Sequence, residues 1–191
     1  MIIAIVNQHG SPERTVVARN LAVLRARSGR RVCLMTTAAG ADSDWCNDRS
    51  SGGVRPWIDT RHVGSRAVDT RLAALRPLFN DILIDDGARV LNPGLRVLFV
   101  AVSGQAGPDA NERAAVLAHV SRVQNATLAS TILHAPATFD YGLGRCVSDA
   151  AACDPDAAAE MQALYDEVYA TLPTMTHSME AQMGAGHALW R

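Results

Sequence analysis

Residues Ile2 to Asn20 (IIAIVNQHGSPERTVVARN) constrain the chain more than any other stretch. Ile2–Val6 is an unbroken apolar run rich in β-branched residues, the pattern of a strand buried on both faces of a sheet. Asn7 to Glu13 carries Gly10, Ser11 and Pro12, which is loop chemistry. From Arg14 the apolar residues return as Val16, Val17, Leu21 and Leu24, one face of a helix. A strand, a tight loop and a helix form a unit that can cradle phosphate. The first N–H groups of the helix are unpaired there, and its dipole presents a positive end. The helix is predicted over about Arg14 to Ser28, with Gly29 to stop it, and Val32–Met35 follows as a second buried strand. That spacing predicts a βαβ unit, hence a parallel sheet with right-handed crossovers.

Further along, Asn47 to Gly53 (NDRSSGG) reads as a polar, flexible loop, and Val54 to Ile58 as a short edge strand interrupted by Pro56. A helix is predicted over Arg66 to Leu78, burying Val68, Leu72, Leu75 and Leu78, with Arg66, Arg71 and Arg76 mainly off that face as a solvated surface or, in the lesser reading, a phosphate-contacting patch. Asn80 to Gly87 (NDILIDDG) is a hydrophobic strand ending in acids. An acid there faces the ligand crevice of a doubly wound sheet or caps the next segment. Leu95 to Val102 and Leu128 to Leu133 read as strands, with a helix between them over Asp109 to Val123 that Asp109 caps. The last helix starts near Asp154-Pro155 and runs to Leu172, burying Met161, Leu164, Tyr165 and Val168. Residues 173–191 form a tail, flexible or a short partner-docking helix, carrying Met175, Met179, Met183 and Trp190.

On these residues the chain resembles the ParA/MinD family of partition and positioning ATPases. Its members begin with a strand, then N-x-K-G-G-x-G-K-T-T, then a helix with a late Asn. Aligned without gaps, Asn7, Gln8, Gly10, Thr15 and Asn20 match. The lysine that reaches the partner's nucleotide across the family's dimer falls on His9, and the phosphate-gripping lysine on Arg14. The second and third glycines fall on Ser11 and Glu13. Asp85 aligns with the Walker B acid that helps hold Mg²⁺. Ser43-Asp44-Trp45 resembles the family's S-x-x-W, and Tyr141, Gly144, Val147 and Asp149 resemble a passage before the last helix of small plasmid-type members.

The resemblance implies nucleotide and phosphate binding by Gly10, Ser11, Arg14 and Thr15. It also implies a Mg²⁺ shell of Thr15 and Asp85 wherever a nucleotide binds, and His9, Arg14 and Asp85 as relics of catalysis. The departures weaken that chemistry. Glu13 places a carboxylate where the loop must wrap polyphosphate, and it gives up the glycine's freedom at positive φ. All 18 basic residues counted as Lys or Arg are Arg, so no ammonium can take the P-loop role, and Arg is not equivalent to Lys at such a site. The second strand ends in Thr36-Thr37-Ala38-Ala39-Gly40, where the family has an acid, and the next one is Asp42.

A length of 191 residues suits one domain, and 48% hydrophobic residues suffice for a core. The net charge of −1 gives no global drive toward nucleic acid or membrane. Cys33, Cys46, Cys146 and Cys153 form no C-x-x-C, and no histidine pair has ligand spacing, so a zinc-type site is not indicated. With no signal-like segment before residue 2, and no apolar run of the roughly 18 residues a span needs, the expectation is a cytoplasmic protein without membrane contact.

The expected fold is α/β: a doubly wound, mostly parallel sheet of about six or seven strands flanked by helices, of P-loop NTPase-like, ParA/MinD type. One such domain is expected over residues 1–172. The expected function is a bacterial, ParA-like plasmid or chromosome partition or cargo-positioning protein that binds without hydrolysing, a pseudo-ATPase with no cofactor. Its partners would be a ParB-like or cargo protein, a second copy in a dimer, and DNA only through nonspecific Arg–phosphate contacts. Two alternatives stand beside it. One is a slow Mg-ATPase that uses ATP and Mg²⁺ through Arg14, Thr15 and Asp85. The other is an anion-binding adaptor on the same fold.

Overall fold

The computed structural model describes residues 1–6, 12–36, 41–64, 67–85, 96–103, 117–118, 120–121, 125–134, 141–150 and 154–170. The chain alternates β1 (Ile2–Val6), α1 (Pro12–Arg27), β2 (Val32–Thr36), α2 (Ala41–Ser51), β3 (Asp59–His62), α3 (Val68–Leu75) and β4 (Asp81–Asp85). It continues through β5 (Arg96–Ser103), β6 (Ala126–His134), a 3-10 turn (Val147–Asp149) and α4 (Pro155–Ala170). The strands form one sheet in the order β3-β2-β4-β1-β5-β6, with every pairing parallel. The expected doubly wound α/β fold is therefore the one observed, with six described strands.

Strands buried on both faces must satisfy two helix layers, and their alternation does so. Ile3, Ile5, Leu34, Leu83 and Leu98 face α1, α4 and Trp45 of α2. Ile2, Ala4, Cys33, Met35, Ile82 and Ile84 face the other way, onto Val68, Leu72 and Leu75 of α3. Residues 16–23 of α1 are all buried, as in a helix covered on every side. The connection after β1 leaves toward β2, and the connection after β4 leaves toward β5 on the opposite side. The switch point of the sheet thus lies between β1 and β4, where such folds hold their ligands.

Several elements differ from the sequence reading. Helix α1 opens two residues early, at Pro12, whose missing N–H costs nothing in a first helical turn. Residues 47–51, read as flexible loop, belong to α2. Asp42 and Asp44 suit the positive end of that helix, and Arg49 anchors it from within, so tertiary contacts override a polar composition. The edge strand is Asp59–His62 rather than Val54 to Ile58. An edge strand is half solvated, so DTRH carries no apolar signature; Ile58 and Val63 bury at its two ends.

Helix α3 stops at Leu75, since Pro77 has no N–H for another turn, and Leu78 is exposed instead of buried. Residues 117, 118 and 120 are helical, in keeping with the helix read over Asp109 to Val123, whose remainder lies outside the described residues. The tail from residue 173 also lies outside them. Among the described residues no helix is long and apolar enough to cross a membrane.

At the far edge, β6 bulges against β5: Phe99 pairs with Leu128, but Ala101 pairs with Ile132. The bulge leaves backbone donors without ladder partners, and α4 supplies acceptors. Glu167 accepts from the N–H groups of Ser130 (2.6 Å) and Thr131 (2.9 Å) and from the Thr131 hydroxyl (2.7 Å). One turn pair earlier, Glu160 accepts from the His134 N–H at 2.9 Å.

Candidate functional site at the end of the fourth strand

Asp85 ends β4 in register with Ile5 of β1 and Thr36 of β2. Alternation along β4 turns it to the same face as Leu83, toward α1. It is buried, at 2% exposure. A buried carboxylate must be matched by charge and hydrogen bonds, and the first turn of α1 provides both. Arg14 donates from Nε to Oδ1 at 2.5 Å, and Thr15 donates from Oγ1 to Oδ2 at 2.5 Å. The structure thus brings together three of the residues singled out in the sequence, Arg14, Thr15 and Asp85. His9, Gly10 and Ser11 lie outside the described residues, as does the Glu13 side chain.

A second acid completes the cluster. Asp42, in the first turn of α2, is buried and accepts from Arg19 Nε at 2.8 Å. The Arg19 guanidinium also stands over the Trp45 ring, 5.4 Å from its centroid. Burial pushes the Asp42 carboxyl above its ordinary value; Arg19 opposes the shift, the nearby charge of Asp85 adds to it, and a hydrogen bond from Thr36 opposes it. Thr36 occupies the place where the resemblance expects an acid, and its side chain hydrogen-bonds to Asp42. Two buried carboxylates, one ending β4 and one in the first turn of α2, are therefore matched by two guanidiniums from one helix.

Other described motif residues make contacts between elements. Asn20 donates to the Val16 carbonyl and accepts from the Val147 N–H, both at 2.9 Å, tying α1 to the 3-10 turn. Tyr141 donates to Asp154, whose other oxygen caps α4 by accepting from the Ala157 N–H. Asp81, at the start of β4, accepts from Arg25 Nε at 2.7 Å, so α1 is tied to both ends of that strand. Cys33 and Cys46 are poor thiolates, pushed up by burial to about 12 and about 11 respectively. No group of three or more His, Cys, Asp or Glu able to hold a metal occurs among the described residues.

Sequence reading missed Arg49, the largest of the fully buried side chains. It donates to the carbonyls of Pro56 (2.7 Å), Arg55 (2.8 Å) and Gly144 (2.8 Å) and to both oxygens of Asp149 (2.6 and 3.2 Å). Its polar neighbours in NDRSSGG hide it, and only the Trp four residues earlier hinted at a buried helix face.

The residues present do not fit the Mg²⁺ that the resemblance implies. Mg²⁺ demands six oxygens in near-ideal octahedral array and favours carboxylates. Thr15 and Asp85 offer oxygen donors of the right kind. Both Asp85 oxygens are already engaged, however, and a guanidinium occupies one of them at contact distance. Neither protein-family models nor the curated proteins compared with this sequence give a match.

Proposed function

We propose that this chain is a ParA-like partition or cargo-positioning protein in which the nucleotide loop no longer supports hydrolysis, so that it works as a binding module. The supporting observation is the closed Arg14–Asp85–Thr15 contact at the switch point of an all-parallel sheet. Hydrolysis in a P-loop protein needs a cation bridging the phosphates and a positioned water. Here the acid that would steady the cation is neutralised within the chain, and the second acid, Asp42, is held by Arg19. On this reading its partners are proteins, a cargo or ParB-like protein or a second copy, and its work is done in the cytoplasm.

Titration with ATP and Mg²⁺, followed by calorimetry, sedimentation and phosphate release, tests the reading. The expected result is no phosphate release above background. Turnover that Thr15→Ala abolishes would make the chain a slow ATPase and overturn the proposal. That second reading has one observation in its favour: the Thr15 hydroxyl and the Asp85 carboxylate, the two oxygen donors it needs, lie next to each other.

A further inference from the structure

We infer that Arg14 is a built-in replacement for a divalent cation: its guanidinium holds the charge and the place at Asp85 that a metal would need, and so closes this strand end to Mg²⁺. The inference rests on the P-loop-like reading of β1–α1 and adds to it a reason why no metal is required.

Three observations carry it. Asp85 is almost wholly buried, and a lone carboxylate in such surroundings is costly enough that it must have a cation. The cation present is covalently part of the chain, with Arg14 Nε at 2.5 Å from Oδ1, and the Thr15 hydroxyl fills the other oxygen. Arg14 itself is largely covered, its side chain 15% exposed, so the pair is shielded from screening by salt. Among the described residues, the second buried acid of this cluster, Asp42, is matched by Arg19 in the same fashion. An arginine is suited to this task because it does not lose its proton in a protein, whereas a buried lysine can. A metal entering at Asp85 would meet a fixed positive charge at contact, and an anion approaching Arg14 would have to compete with Asp85.

Removing the guanidinium should therefore create a metal site where none exists. Mn²⁺ is the probe, read by electron paramagnetic resonance without nucleotide. Wild-type protein is expected to leave millimolar Mn²⁺ free. Arg14→Ala and Arg14→Gln are each expected to bind one equivalent with at least roughly tenfold higher affinity, and Asp85→Asn in either background to abolish that gain. A variant that is unfolded alone and folds on adding Mn²⁺ gives the same support. Wild-type Mn²⁺ binding that Asp85→Asn removes would refute the inference. So would folded Arg14 variants that bind no better than wild type, or variants that stay unfolded at every Mn²⁺ concentration. The nucleotide titration is independent of these outcomes: wild-type Mn²⁺ binding at Asp85 without phosphate release sinks the cation replacement alone, and phosphate release sinks the binding-module reading.

Discussion

Replacing Arg49 by Met keeps the aliphatic stem and removes the guanidinium, with its five hydrogen bonds and its place 5.5 Å from the centre of the Trp45 ring. Three of them satisfy the carbonyls of Arg55, Pro56 and Gly144, and two reach the Asp149 carboxylate. All five bonds have a charged donor, and at roughly 1.5–3 kcal/mol for each, simple addition gives about 7.5–15 kcal/mol. That sum overstates the effect. Arg27 stays at 2.5 Å from Asp149 and retains part of the compensation, and the loops can relax toward water. Measured losses on breaking one side of a buried ion pair, about 3–5 kcal/mol, are the better guide, and we expect about 4. For a chain of this size that corresponds to a fall in Tm of about 8–16 °C. Urea unfolding followed by circular dichroism reads the difference directly. A loss below about 1.5 kcal/mol would mean that Arg49 does not hold α2 to the segments 55–56 and 144–149, and the account of why residues 47–51 are helical would fall with it.

Two further outcomes follow from the same region and from the sheet edge. At Gly144, with φ +70, an added Cβ would lie 2.2 Å from the Arg49 backbone nitrogen; at Gly142, with φ +67, it would meet nothing within 4 Å. Gly144→Ala should therefore cost about 3–5 kcal/mol and Gly142→Ala only about 1–2, and equal losses in thermal melts would contradict the packing described. At Glu167, burial pushes the carboxyl up but is outweighed by the Ser130 and Thr131 N–H groups and the Thr131 hydroxyl, leaving it below its ordinary 4.5. A lowered carboxyl stabilises the fold above pH 4.5, and that contribution is lost as pH falls through the folded value. Glu167→Gln should thus lower the urea midpoint near neutrality and flatten its decline below pH 4.5; a decline as steep as wild type would show that the β6 bulge does not depend on this charge.

The sheet was legible because its strands announce themselves. Ile2–Val6, Val32–Thr36 and Asp81–Asp85 are apolar on both faces, and strands of that kind need two helix layers, which leaves few topologies. Asp85 was legible for the same reason, as an acid at the end of such a run. Its partner Arg14 was recognised, but as a residue for phosphate; that it turns back onto Asp85 depends on the pitch of α1 over the sheet, which no local pattern encodes. Helix α2, β3 and the Arg49 cluster were hidden because their order comes from long-range contacts between polar groups. An arginine in a Ser/Gly-rich run looks solvated until the chain 95 residues later brings Gly144 to it.

The two ends of α1 are fastened to the two ends of a single strand, Arg14 to Asp85 and Arg25 to Asp81. Eleven helical residues cover about 16 Å and four strand residues about 13 Å, so the lengths nearly coincide. Sliding the helix by one turn, the ratchet that many switching proteins use, moves it about 5.4 Å and would undo both fastenings at once. Axial travel of this helix therefore carries the cost of two buried ion pairs broken together, whereas tilting or release of one end breaks at most one.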